Sequence, residues 1–282
     1  MAKDILAAAH LSVDSALFIK RLMGIDSISP VLALMDNVYY PQDQAAVDDV
    51  TVPTLIDAGL IDINGNVDPA LASWMMVLER PDIEVTLRAL QEDRMRRAVV
   101  ARRGDKHVMA LRRNDEMAIQ AVWSTTESLD DVVSTPIWSA MRESDEVLAP
   151  KPAEFEAVTL PLEQIADLSA SATPGDMIRA LRGELGVDVQ TAKILNEVSA
   201  YTGQRCEIMM RENRGIHTVD TKAGVFVADT SYGRVLSAVG KQGPRMWVTF
   251  GPGTYARFRA AMSDLVQLTP SRNWFAAGST AR

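Results

Sequence analysis

The sequence predicts an α+β fold in which an antiparallel sheet, packed by helices, is built from two related halves. Three observations predict it. Ile83-Glu84-Val85-Thr86-Leu87-Arg88 alternates apolar and polar residues, the period of a strand with one buried face. Three more short apolar runs follow, Ala98 to Arg103, His107 to Arg112 and Met117 to Val122, joined by the polar connections Arg103-Gly104-Asp105-Lys106 and Arg113-Asn114-Asp115-Glu116. Connections this short require antiparallel neighbours, because a parallel pair needs a long crossover.

The third observation is a weaker second copy. Cys206 to Arg211 resembles Ile83 to Arg88, Val227 to Val235 resembles Val100 to Val108, and Met246 to Phe250 resembles Met117 to Ala121. The copies stand 123, 127 and 129 residues after the originals, a drift that loops of different length explain. We read one domain over residues 1–282, with halves of about 1–150 and 151–282.

The elements follow in order. A strand over residues 8–13 leads into a helix capped by Ser12 or Asp14 and closed by Gly24. Residues 26–52 look irregular, with Pro30 and Pro41 as breaks, and Pro53 to Ala58 reads as a short helix. Asp68-Pro69 starts a helix whose Leu71, Trp74, Met75 and Leu78 form one apolar stripe. After the first four strands, residues 126–141 look helical with an interruption at Pro136, and polar Glu143 to Ala153, with Pro150 and Pro152, reads as a linker. The second half then has a strand at Ala157 to Leu160 and a short helix after Pro161. Two striped helices follow: one from near Asp176 to Gly186, and one carrying Ile194, Leu195, Val198 and Tyr201. Strands run from Arg205 to Phe250, and a last helix after Thr254 carries Tyr255, Phe258, Met262 and Leu265 on one side. Ala276 to Arg282 reads as a frayed tail.

Composition narrows the function. The formal net charge of −8 supplies no global basic field for nucleic acid. No run approaches the ~18 apolar residues of a membrane span. The single cysteine, Cys206, allows no intrachain disulfide and fits a reducing cytoplasm. We therefore expect a cytosolic protein that touches neither membrane nor nucleic acid.

Motifs for chemistry are sparse. His10, His107 and His217 share no metal-ligand spacing with each other or with Cys206, which we read as a buried, inert thiol. We expect no cofactor or metal, and no catalytic set emerges. The turn Gly251-Pro252-Gly253-Thr254 opens the last helix, and a phosphate or other small ligand at that helix N-terminus is the alternative reading, although a Walker lysine is missing. Arg94, Arg96, Arg97, Arg102, Arg103, Arg112 and Arg113 form a dense set. It reads either as a solvated sheet edge or as a patch that meets an acidic or polar partner.

The ordered runs together resemble the EspG family, cytosolic chaperones of actinobacterial type VII (ESX) secretion systems. The runs are Gly65-Asn66-Val67-Asp68-Pro69 with Trp74 and Arg80-Pro81; Val100-Ala101-Arg102-Arg103-Gly104 with His107 to Arg112; Asp229-Thr230-Ser231-Tyr232-Gly233-Arg234; and Phe250-Gly251-Pro252-Gly253-Thr254 with Trp274-Phe275. They span about residues 60 to 275. The resemblance implies a central twisted antiparallel sheet, two helical bundles and an approximate internal two-fold. It also implies a job without catalysis: binding PE–PPE heterodimers at the apolar helical tip of the PPE component, which keeps them soluble until secretion. Homodimers of the free protein are compatible with that job.

In the family the contacts come from one face of the sheet, its hairpin loops and the C-terminal helical bundle. Transferred by motif, the first loop is Gln91 to Arg97 and its counterpart Glu212 to Gly215. The solvent-facing strand positions are Glu84, Thr86, Arg88, Ala118, Gln120, Met209 and Arg211. The partner-binding residues expected on this basis are Arg94, Arg96, Gln120, Met209, Glu212 and Arg214, with Met209 as an apolar contact and the others as a polar rim that selects cargo.

Overall fold

A computed structural model describes residues 6–35, 38, 40–142, 150–171, 173–200, 203–215, 217–242 and 245–276. The first half runs β1 (Ala9–Ser12), α1 (Val13–Leu22), a 3-10 turn (Pro30–Leu32), α2 (Pro41–Asp57), α3 (Pro69–Glu79), β2 (Ile83–Gln91), β3 (Arg94–Arg103), β4 (Lys106–Arg113), β5 (Glu116–Val122), a π turn (Asp130–Ser134) and α4 (Thr135–Ala140). The second runs β6 (Val158–Pro161), α5 (Leu162–Ser171), α6 (Pro174–Gly183), α7 (Val189–Ala200), β7 (Arg205–Arg214), β8 (His217–Asp220), β9 (Val225–Thr230), β10 (Gly233–Gln242), β11 (Arg245–Pro252) and α8 (Tyr255–Gln267).

All the strands join one antiparallel sheet in the order β1-β5-β4-β3-β2-β7-β9-β10-β11-β6, with β8 paired to β7. The order reads alike from either edge when β1, β2, β3, β4 and β5 are matched to β6, β7, β9, β10 and β11, so the approximate two-fold axis passes between β2 and β7. The internal sequence repeat matches four of these five pairs, all but β1 with β6.

Strand alternation divides the side chains between two faces. Ile83, Val85, Leu87, Ala98, Val100, Cys206, Ile208 and Met210 pack on one face under the π turn, α4 and α8 with Phe258, Met262 and Trp274. On the opposite face, Val99, Ala101, Val108, Ala110 and Ile119 pack beneath α1–α3, and Ala228, Val235, Val248 and Phe250 beneath α5–α7. We call these the α8 face and the bundle face. β3 is buried on both, which is why Ala98 to Ala101 is uniformly apolar.

Several expectations need correction. Residues 41–57 form one helix, with Pro41 in its first turn and Pro53 inside it. An interior proline costs about 3 kcal/mol, and burial of Leu55 and Thr51 against α1 offsets it. Residues 130–140 form one continuous helical run, and the interruption expected at Pro136 corresponds to the change there from the π turn (Asp130–Ser134) to α4, where the missing proline N–H is accommodated. The helix expected near Asp176 begins at Pro174, capped by Thr173, and stops at Gly183. Of the polar stretch 143–153, residues 143–149 lie outside the described residues, as do Tyr201 and residues 277–282 of the tail. Pro152 bridges to Arg234, and Trp274 is buried.

Candidate functional site

On the bundle face the two helical bundles leave part of β2 and β7 open between them: Arg88 and Glu207 are exposed, Thr86 and Met209 half-buried, and Glu84 is covered. The 3-10 turn lies over β2–β4 on one side, and α7 lies over β9 on the other. From β3 to β9 is three interstrand steps, roughly 14 Å, enough for one helix end about 10–12 Å across.

The floor of this furrow follows from the sequence. β2 carries Glu84, Thr86 and Arg88 toward the bundle face, and β7 carries Glu207, Met209 and Arg211. Antiparallel register sets Glu84 opposite Arg211, Thr86 opposite Met209, and Arg88 opposite Glu207. Arg88 pairs with Glu207 at 2.9 Å, and Arg211 reaches Glu84 at 3.6 Å and Asp220 of β8 at 2.6 Å. The centre is therefore half-buried Thr86 and Met209, flanked by an ion pair on each side. A side chain at Gly224 would collide with the Met209 sulfur, so Met209 rests on backbone. Glu84 is buried beside Ser29, and burial, against the pull of Ser29 and Arg211, pushes its carboxyl above the ordinary range.

The six expected contact residues do not converge. Only Met209 lies in the furrow. Arg94, Arg96, Gln120, Glu212 and Arg214 have the parity of the α8 face: Arg96 alternates with Ala98, Glu212 with Met210, and Gln120 lies opposite Met109, itself opposite Val100. Arg94 and Arg214 are exposed at opposite ends of the β2–β7 pair, since Arg94 adjoins the Arg205 end of β7 and Arg214 lies nine residues on, roughly 30 Å along a strand. Gln120 is exposed near the β1 edge.

Two of the expected rim residues are structural. Arg96 is buried and donates to the Met141 carbonyl (2.9 Å) and to Gln204 Oε1. Glu212 is buried, pairs with Arg214 at 2.7 Å and accepts from Ser271 N–H at 2.8 Å, so it fastens the segment after α8. The first loop is also shorter than expected: β2 and β3 are strand through Gln91 and from Arg94, leaving Glu92-Asp93 as the turn. Glu84 is buried, and Ala118 and Gln120 face away from Thr86 and Met209.

The remaining arginines are neither a bare edge nor a single patch. Arg102 is buried and donates to the carbonyls of Gly104 (2.8 Å) and Ala276 (2.7 Å). Arg103 donates to Met76 O at 3.0 Å. Arg97 donates to Val31 O (3.3 Å), and Arg112 to Leu32 O (2.8 Å) and Ala33 O (2.6 Å), which clamps the 3-10 turn over the sheet.

The Gly251–Thr254 turn is filled from within. A Cβ at Gly253 would stand 2.2 Å from Arg234 Cγ, and Gly253 N–H donates to Arg234 O at 2.7 Å. The glycine therefore admits Arg234, and a phosphate there is not favoured. Arg234 is buried, forms a forked pair with Asp229 (2.7 and 3.0 Å) and lies over the Trp138 ring. Burial pushes the Cys206 thiol up to about 12, as expected of an inert cysteine. Among the described residues no cluster of three or more His, Cys, Asp or Glu could hold a metal ion, and no helix is long and apolar enough to cross a membrane.

The furrow's ion pairs escaped the sequence reading, yet each strand shows a Glu followed four residues later by an Arg. Two such strands, paired antiparallel with Thr86 opposite Met209, set opposite charges face to face.

Known proteins agree with this architecture. The ESX-1 secretion-associated protein EspG1 of Mycobacterium marinum is 27% identical over 284 residues, covering 99% of this chain and 95% of its own. The ESX-3 secretion-associated protein EspG3 of Mycobacterium tuberculosis is 28% identical over 289 residues, covering 98% and 96%. The solved structure of the Mycobacterium tuberculosis type VII secretion system chaperone EspG5, in complex with the PE25–PPE41 dimer, matches the fold with a TM-score of 0.78 at 18% identity, over 96% of this chain and 99% of that one. The EspG family profile matches residues 12–264, and with nearly the whole fold inside that span, the chain belongs to the EspG family.

Proposed function

We propose that this protein is a cytoplasmic, non-enzymatic chaperone of a type VII secretion system that binds a PE–PPE heterodimer through the PPE helical tip. The observation that carries the reading is the furrow over β2 and β7. It is one helix end wide, and its Thr86–Met209 centre is bordered by charged pairs. An apolar centre inside a polar border is what covering an aggregation-prone helical tip requires. The related EspG5 has been solved with PE25–PPE41, which names the cargo class. Arg94 and Arg214, exposed at the two hairpin ends, are left as outer contacts.

The test is co-expression with the PE–PPE pairs encoded beside the gene, followed by size-exclusion chromatography with light scattering. A heterotrimer with one copy of each chain is expected. Absence of a complex with every pair would overturn the reading. A dimer of the free protein is compatible with it provided the furrow stays open, and the same run on the free chain measures its oligomeric state.

A further inference from the structure

We propose that charge laid unequally over a symmetric furrow decides which way round the cargo sits, with a carboxylate of the helical tip placed over Arg88, Arg97 and Arg112. The inference rests on the chaperone reading and adds the orientation and chemistry of the contact.

By residue type the floor alone does not set an orientation. Glu84, Thr86 and Arg88 of β2 map by the two-fold onto Glu207, Met209 and Arg211 of β7, and each Glu faces the other strand's Arg. Apart from Thr86 against Met209, and Glu84 being buried where Glu207 is exposed, a partner turned by 180° would meet the same residue types. The flanking strands break this degeneracy. Arg88 has Arg97 beside it in register, and Arg97 has Arg112 beyond it. Arg211 instead has Asp220 beside it. One end thus holds three guanidiniums and one carboxylate, Glu207. The other holds one guanidinium and two carboxylates, Glu84 and Asp220.

The arginine row is under-compensated. Like charges directly opposite one another on a sheet are unfavourable. Burial, then the charges of Arg112 and Arg88, hold Arg97 below its ordinary range. The carbonyls of Val31, Leu32 and Ala33 take hydrogen bonds from Arg97 and Arg112 but bring no net charge. In a chain of net charge −8 this row is a local reversal of sign. A carboxylate on the partner satisfies it, because the planar guanidinium fork matches that group. The same carboxylate at the opposite end would face exposed Asp220 above the buried Glu84, and that repulsion rejects the reversed pose.

The test measures dissociation constants for the co-expressing PE–PPE heterodimer at about 50 mM and about 500 mM salt, a range over which screening of such contacts changes strongly. Arg88→Gln and Arg97→Gln are expected to weaken binding about tenfold at low salt and about twofold at high salt. Asp220→Asn is expected to tighten it about twofold at low salt. Arg88 is exposed, so its variant keeps the fold, and a melting curve checks the Arg97 variant. The inference is overturned if Asp220→Asn weakens binding as much as Arg88→Gln, or if a stable wild-type complex ignores all three changes. If no heterodimer binds the wild-type chain, the chaperone reading falls and takes this inference with it.

Discussion

The β3–β4 and β9–β10 hairpins hold equivalent places in the two halves, yet their tips are fastened by different chemistry. In the second half, Asp229 and Arg234 face each other across the strands as a forked ion pair, and Arg234 lies 5.2 Å from the ring centroid of Trp138, contributed by α4 of the first half. In the first half the matching positions are Arg102 and His107, and His107 stacks 6.2 Å from Trp274, contributed by the second half. Each half thus lends a tryptophan to the other's hairpin. The difference lies in how charge is balanced. Asp229 neutralises Arg234 directly, whereas Arg102 is held by two backbone carbonyls and by Asp82 at 3.6 Å. A shared backbone plan therefore fixes where a buried polar anchor stands, while the neighbouring elements decide what it is made of.

This contrast can be broken at its strongest point first. Asp229→Ala leaves a guanidinium buried and unpaired, and denaturant melts should show a loss of about 3–5 kcal/mol. Asp82→Ala, at a pair longer and partly wet, should cost about 1 kcal/mol or less. Equal losses would show that the two tips are anchored alike. Hairpin glycines give the next contrast. Gly233 has φ of 114°, and an added Cβ would stand 2.5 Å from Lys151 O, so Gly233→Ala should cost about 2–3 kcal/mol and loosen residues 150–153. Gly104 has φ of 62° with open space around it, so Gly104→Ala should cost only about 1–2 kcal/mol of backbone strain.

A smaller effect separates the tips by pH. Burial, and then the charge of Arg102, hold the His107 imidazole below its ordinary 6.5. The folded state favours neutral His107, so its contribution is present above pH 6.5 and is lost as pH falls through and below that value. Melting His107→Gln beside the wild type between pH 5 and pH 8 should show a shallower decline for the variant. The smallest test concerns Cys206, whose thiol at about 12 should resist alkylation in the native protein at pH 8 and react readily once unfolded.

Much of the fold was legible because its strands alternate and its hairpins are short, so residues 83–122 announced themselves as a meander and the repeat located the second one. α2 was not legible, because Pro53 reads as a helix start and only burial of Leu55 and Thr51 overrides it. Among the expected contact residues, the proposed site was legible in the sequence at Met209 alone. Met209 stood out as an apolar residue on a polar parity, and it lies in the furrow. Gln120 was grouped with it because both looked exposed. Helices, however, cover opposite faces of the sheet at its centre and at its ends, so the polar parity of β5 is the reverse of that of β2. Arg96 and Glu212 were assigned to a rim because charge suggests water. Their partners are Gln204, Met141 O and the Ser271 N–H, contacts between residues 45 to 108 positions apart that no local pattern reveals.

The central claim is that cargo docks in the furrow and not on the α8 face. Its most direct test places a photo-crosslinking phenylalanine analogue at Met209 or at Gln120 in the chain co-expressed with its PE–PPE heterodimer, and identifies the crosslinked partner by mass spectrometry. The furrow account predicts crosslinks from Met209 to the PPE helical tip and none from Gln120. Crosslinks from Gln120 with none from Met209 would move the interface to the α8 face and contradict it.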